Sequence, residues 1–92
     1  MENYSADKAK EELNRLVEEV KQERDEMIVK AHLLKADAKD ELAKVDKQWE
    51  HFKAKSAQVG REAKDASGDV TAAVKLLGEE IINSIKRIRR SL

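Results

Sequence analysis

Two histidines and several neighbouring carboxylates are the side chains of this sequence that could do chemistry. A metal site on a helix needs a second ligand three or four residues from the first, so that both project from one face. Neither His32 nor His51 has a His, Cys, Asp or Glu at those offsets, and the chain contains no Cys. We therefore expect no metal, no cofactor and no thiolate nucleophile.

The carboxylates lie in short acidic runs, Glu18-Glu19 and Glu23-Arg24-Asp25-Glu26. General acid–base catalysis needs a desolvated cleft that separates the pKa values of two such groups. A helical rod offers little shelter of that kind, and the sequence has no Gly-rich phosphate loop or nucleophile elbow. We expect these runs to form a solvated helix face, and we expect the protein not to be an enzyme.

The clearest pattern is an apolar stripe in the second half of the chain. Its positions alternate in steps of three and four, which is typical of a coiled-coil seam. Apart from Ser56, the predicted self-association seam comprises Leu42, Val45, Trp49, Phe52, Val59, Ala63, Ala66 and Val70. The single Trp and the single Phe of the chain both lie on it, so we expect Trp49 and Phe52 to anchor a helix–helix contact.

Composition agrees with an all-α fold in one domain. The chain has 92 residues, of which 41% are charged and 3% aromatic, and it contains no Pro. Disorder is the alternative for so charged a chain, but periodic Leu, Val and Ile argue against it. We expect a long coiled-coil helix followed by a shorter amphipathic helix, self-associating into an antiparallel helical bundle.

The predicted long helix runs from about residue 6 to about residue 66. Its first half carries a weaker stripe that slips in register after Val20 and again after Ala38. Residues 35–41 are the weakest part of this stripe but contain no Gly, Pro, Asn or Ser, which favours continuous helix. A helical hairpin that turns near residues 36–41 is the alternative.

A break is predicted at residues 67–69, where Gly68 suits a helix C-terminus and Asp69 can cap the next helix. The amphipathic helix then runs from about residue 70 to about residue 91. Its apolar face and basic residues form the candidate lipid or partner face, Ile81, Ile85, Ile88, Lys86, Arg87, Arg89 and Arg90. The bases also complement the helix dipole, and binding to nucleic acid is the least favoured interpretation.

Charge is distributed unevenly along a chain that is neutral overall. Residues 1–41 contain 12 acids and 8 bases, whereas residues 42–92 contain 7 acids and 11 bases. Opposite charge at the two ends of a rod favours antiparallel or staggered pairing. We expect a homodimer first and a tetramer second, and another helical protein is a further candidate partner.

The segment Ala66-Ser67-Gly68-Asp69 and the following D-V-x-A-A-V-x-x-L pattern resemble a group of small bacterial coiled-coil proteins of unassigned function, of an apolipoprotein-like helical type. The likeness covers about residues 24–88. Members of the group often have an aromatic residue after the break, where this chain has Val70. The resemblance implies a helical fold and supplies no catalytic residues.

These patterns predict a non-enzymatic structural or protein-interaction module. The alternative is a peripheral protein whose basic last helix lies on an anionic membrane surface. No apolar run approaches the ~18 residues needed to span a bilayer, and the first residues do not look like a secretory signal. We expect a cytoplasmic location, with attachment to a membrane surface as the alternative.

Overall fold

The computed structural model describes the backbone of residues 2–61 and 68–92 and the side chains of residues 8, 10–59 and 70–92. Within these ranges the chain forms α1 (Glu2–Val29), a short 3-10 helix (Ala31–Leu33), α2 (Ala36–Arg61) and α3 (Gly68–Arg90), and no strand. The three α-helices pack against one another. The predicted all-α class is confirmed.

The chain turns back between α1 and α2, which corrects the prediction of one continuous helix from about residue 6 to about residue 66. α1 ends at Val29, and α2 begins at Ala36. The hairpin alternative placed the turn near residues 36–41, but those residues are helical and the turn lies at residues 30–35.

Leu34 redirects the chain at this turn. The N–H groups of Leu33 and Leu34 donate hydrogen bonds to the carbonyls of Lys30 and Ala31, and Leu34 is extended, at φ −83° and ψ 146°. Leaving the helical conformation costs the residues of this turn a few tenths of a kcal/mol each in intrinsic helix propensity. Burying one large aliphatic side chain contributes about 1.5–3 kcal/mol, so covering the apolar stripes outweighs this cost.

α3 occupies most of the stretch predicted to be amphipathic helix, residues 70–91, and begins two residues earlier at Gly68. The predicted end of the long helix at residue 66 lies outside the described residues, as does Ser67 of the predicted break. The prediction is wrong for the rest of the break, because Gly68 and Asp69 form the start of α3.

α1 and α3 lie side by side and run in the same direction. Towards the start of both helices, Lys75 Nζ is 3.1 Å from Glu12 Oε2. Towards their ends, Arg89 pairs with Glu23. Both ion pairs join an acid of α1 to a base of α3. The acidic first half and the basic second half of the sequence therefore attract each other within one chain.

α2 runs in the opposite direction to its two neighbours. Arg24 in the second half of α1 contacts Asp46, whereas Leu16, earlier in α1, lies near Phe52, later in α2, where both approach Gly78 of α3. The described part of the chain therefore runs up, down and up along a bundle with extents of 49 × 18 × 18 Å.

The core follows the long axis of the bundle and receives side chains from all three helices. It includes five apolar positions from the weaker stripe of the first half of the sequence, as well as those of the second half. Its buried apolar residues are Leu13, Val20, Met27, Leu34, Ala38, Leu42, Val45, Trp49, Phe52, Val59, Val74, Ile81, Ile85 and Ile88.

Gly78 of α3 lies against side chains of both α1 and α2. A Cβ atom at this position would be 2.7 Å from Leu16 Cδ2 of α1 and 2.7 Å from Phe52 Cζ of α2. Contacts this short do not occur between carbon atoms in packed proteins. Side chains of two helices therefore pack directly on the backbone of the third, and only a hydrogen fits between them.

We predict that Gly78→Ala destabilises the protein by about 1 kcal/mol, as measured by urea unfolding. Overpacking against the rigid Phe52 ring costs about 1–3 kcal/mol, whereas replacing a helical Gly by Ala returns about 1 kcal/mol. The exposed Ala73 on the same helix provides the control, because Ala73→Gly measures the helix-propensity contribution alone. A Gly78→Ala protein more stable than wild type would contradict the close contact.

Candidate functional site

Five residues of the predicted self-association seam lie inside the single chain. Leu42, Val45, Trp49, Phe52 and Val59 are all buried. The helices that cover them are α1 and α3 of the same molecule. Ala63 and Ala66 lie outside the described residues. The seam therefore already has a partner within the monomer, and a second copy reaches it only by replacing that partner.

The predicted seam is wrong at its last residue, Val70. It belongs to α3 and not to the helix that carries Trp49 and Phe52, and it is 49% exposed. The three-and-four spacing continues numerically from Val59 to Val70, but the chain between them changes helix, so spacing alone does not keep them on one face.

The apolar half of the candidate lipid face is also buried. Ile81, Ile85 and Ile88 belong to the core, because the most apolar face of α3 fills the groove between α1 and α2. Placing these side chains in a membrane would require α3 to leave the bundle. In the described structure this face is a packing surface and not a surface open to lipid.

The basic half of that face remains at the surface, and its members have different neighbours. Arg89 pairs with Glu23, and its Nη2 atom lies 3.6 Å from Glu26 Oε2. Arg87 Nη2 donates a 3.0 Å hydrogen bond to Ser84 Oγ. Lys86 and Arg90 are exposed and form no ion pair with the described residues. Arg89 thus holds α3 against α1, while Lys86 and Arg90 face solvent.

The contacts of Arg24 explain why this charged residue occupies a position on the apolar stripe of α1. Its Nε atom donates a 2.7 Å hydrogen bond to Asp46 Oδ1, and its guanidinium carbon lies 5.9 Å from the centroid of the Trp49 ring. The side chain joins α1 to α2 and covers the indole, a cation–π arrangement. Sequence reasoning missed this role because the apparent slip after Val20 pointed to a change of register.

Four large aliphatic side chains are exposed at one end of the bundle. Val29 and Leu33 are the most exposed, at 74% and 61%, and Ile28 and Leu92 are about half exposed. α3 ends beside the turn, because Arg87, Ile88 and Ser91 line a groove with the first residues of α2. We call this region, residues 28–41 with residues 86–92, the turn end. The sequence prediction missed it because it ran α1 straight into α2.

The two histidines do not form a metal site with the other described residues. His32 Nδ1 lies 3.2 Å from the carbonyl oxygen of Val29, and His51 is exposed on α2. Among the described residues, no three His, Cys, Asp or Glu side chains come together as metal ligands. In the same part of the chain, no helix combines the length and apolar character needed to cross a membrane.

Comparison with known proteins adds no relative. No family model matches the chain, and neither a curated protein nor a solved structure shows detectable similarity to it. The resemblance to small bacterial coiled-coil proteins stays a prediction.

Among the described residues of the seam, Ser56 has a buried polar atom without a hydrogen-bond partner. Its Oγ is buried and has no hydrogen-bond partner among the described residues. We predict that Ser56→Ala stabilises the protein by about 1 kcal/mol in urea unfolding, because it removes an unpaired hydroxyl and improves helix propensity. Ala57→Ser, one residue away on the exposed face, is the control and should cost a few tenths of a kcal/mol. Loss of stability in Ser56→Ala would mean that the hydroxyl has a partner.

The ion pair between Lys75 and Glu12 changes the pKa of the Glu12 carboxyl. The hydrogen bond from the Lys75 ammonium, together with its charge, lowers the pKa of the Glu12 carboxyl. A lowered pKa in the folded state gives stability that is present above the unfolded pKa and is lost as pH falls through the folded pKa. We predict that Lys75→Met raises the pKa of Glu12 towards its ordinary value, as measured by NMR titration of the side-chain carboxyl. Lys53→Met, which removes a partner of Glu50, should leave the pKa of Glu12 unchanged.

Proposed function

We propose that this protein is a non-enzymatic structural and interaction module that pairs with a second copy of itself by exchanging α1. In the exchanged dimer, residues 30–35 join α1 and α2 into one long helix. α1 of each copy then packs on α2 and α3 of the other. A homodimer is the proposed assembly, and a tetramer of two such dimers is the second candidate.

The observation that carries this proposal is that the apolar stripe continues through the turn. From α1 to α2, positions on the stripe keep the steps of three and four that a single helix needs. Each of them is buried or half-buried on its side of the turn, namely Val20, Arg24, Met27, Ala31, Leu34, Ala38 and Leu42. A straightened helix therefore presents one continuous stripe to its partner, with the register slips at Val20 and Ala38 included in it.

The turn itself contains no residue that requires a turn. Residues 30–35 are Lys-Ala-His-Leu-Leu-Lys, without Gly, Pro or Asn, and no described residue of the chain has a positive φ. No side chain caps the 3-10 helix. Ala, Leu and Lys are among the strongest helix formers, so local preference favours the straight form.

Exchange preserves the contacts that hold the monomer together. The contact of Leu16 with Gly78 and the ion pair between Arg24 and Asp46 would form between copies in place of within one, whereas Phe52 would stay in contact with Gly78 of its own copy. Such swapping is a low-cost route to a symmetric dimer because the interface is already complementary. A helix of residues 2–61 would be about 90 Å long at 1.5 Å per residue.

Straightening would not bury the exposed apolar residues of the turn. In an antiparallel pair, the two copies of residues 28–35 lie alongside each other. Val29 and Leu33 are one helical turn apart and would face one side of the helix. That side lies opposite the seam, because Val29 and Leu33 are each two residues from Ala31, so both side chains would stay exposed in the dimer as they are in the monomer.

We predict that Lys35→Pro abolishes the dimer while preserving the monomer. The residue before a Pro favours ψ of about +120 to +160°, and Leu34 already has ψ 146°. The Lys35 N–H donates to no described residue, and its carbonyl, which accepts from Lys39 N–H, is kept. A Pro inside a continuous helix is strongly unfavourable, so the dimer dissociation constant should rise at least about 1,000-fold in sedimentation equilibrium after refolding at high concentration.

Lys35→Ala is the matched control and should retain the dimer, because Ala favours helix. Isotope-filtered NMR on a mixture of labelled and unlabelled chains distinguishes exchange from other dimers. Contacts between the Phe52 ring and the Leu16 methyl groups should appear between copies. A wild-type chain that is monomeric at every concentration, or a dimer in which those contacts stay within one copy, would refute helix exchange.

A further inference from the structure

We propose that the turn end of the monomer is a docking site for anionic lipid headgroups, and that the bundle meets the membrane surface end-on without opening. The site consists of exposed aliphatic side chains surrounded by bases. It differs from the lipid face predicted from the sequence, whose Ile81, Ile85 and Ile88 are buried. It does not depend on helix exchange, since it belongs to the monomer.

The apolar part of the site projects from the turn. Val29 and Leu33 are 74% and 61% exposed, and they lie on either side of residues 30–32. Exposed aliphatic groups clustered at one place indicate an interaction surface. Leu92 adds a third aliphatic side chain from the end of α3, which the groove at Arg87 and Ser91 places beside the start of α2.

The charge of the turn end matches an anionic surface. Residues 28–41 and 86–92 contain seven bases and three acids. Lys30, Lys35 and Arg90 are exposed and make no ion pair with described residues. Each base near an anionic bilayer strengthens binding, by about fivefold for a contribution of about 1 kcal/mol.

The α1 side of the bundle has the opposite charge, which disfavours docking along α1. α1 contains nine acids and five bases, and Glu18, Glu19 and Asp25 are exposed along it. An anionic bilayer would repel this side while attracting the turn end. Apolar insertion with bases around it suits lipid better than nucleic acid, since the turn end contains no Phe, Tyr or Trp to stack on bases.

Vesicle co-sedimentation at low salt tests the site, with phosphatidylserine-containing vesicles against pure phosphatidylcholine. We expect the full chain to bind only the anionic vesicles, and we expect Lys35→Pro, which removes one base of the site, to bind them about fivefold more weakly. Val29→Ser with Leu33→Ser should weaken binding about tenfold or more. Leu76→Ser is the control, because Leu76 is 60% exposed but lies about 20 Å along α3 from Arg90.

The basic residues have their own matched pair of variants. Lys30→Gln with Lys35→Gln should weaken binding about 30-fold, given about fivefold for each base. Lys47→Gln with Lys55→Gln, which removes two exposed bases of α2, should change it less than about threefold. Equal loss in both double variants would show that net charge and not the turn end controls binding, and would overturn the proposal.

Trp49 reports whether the bundle stays closed. Its side chain is buried, so end-on docking should leave its emission unchanged, whereas release of α3 should shift it to longer wavelength. A shifted emission on vesicles, or no binding to anionic vesicles at low salt, would overturn the proposal. Binding by monomeric Lys35→Pro alongside a wild type that never dimerises would refute only helix exchange. A swapped dimer in a chain that binds no lipid would refute only the docking site.

Discussion

The contact of Leu16 and Phe52 with the backbone of Gly78 fixes how closely the three helices approach. A chain with 3% aromatic residues has few large groups with which to fill a core, so it must bring helix axes together. Gly78 allows the Phe52 ring to touch the α3 backbone. The branched side chains above and below it then meet in one continuous core, from Leu13 near one end to Leu34 and Ala38 near the turn. The same close approach sets the distances across which the ion pairs act.

Ion pairs between the helices select a register more than they stabilise the fold. The acids of α1 meet bases of α3 at Glu12 and at Glu23, and these two points lie about three helical turns apart. Surface pairs of this kind contribute about 0–1 kcal/mol each, less than one buried aliphatic side chain. Sliding α3 by one turn would separate both pairs and move Gly78 away from Phe52. Charge and packing therefore specify the same alignment of α1 and α3.

Helical class and the apolar stripes could be predicted from the sequence, because periodicity records which side of a helix avoids water. The turn at residues 30–35 could not, since its residues are ordinary helix formers and the reversal is caused by tertiary burial. Because the turn was not predicted, the candidate functional site was also placed wrongly. A straight helix leaves Trp49 and Phe52 in need of another chain, whereas the folded hairpin covers them and exposes Val29 and Leu33. Arg24 was missed for a related reason, because its partners Asp46 and Trp49 lie on a helix that only the turn brings near.

The folded monomer and the exchanged dimer share nearly all of their contacts, so the balance between them rests on the turn. Closing a loop of six residues costs little chain entropy, whereas association costs the translational freedom of a second molecule, a cost that falls as concentration rises. The monomer is therefore favoured when the protein is dilute, and the helix propensity of residues 30–35 favours the dimer when it is concentrated. Because a lipid-docked monomer needs the turn and the dimer removes it, a membrane surface would draw the equilibrium towards monomer by mass action.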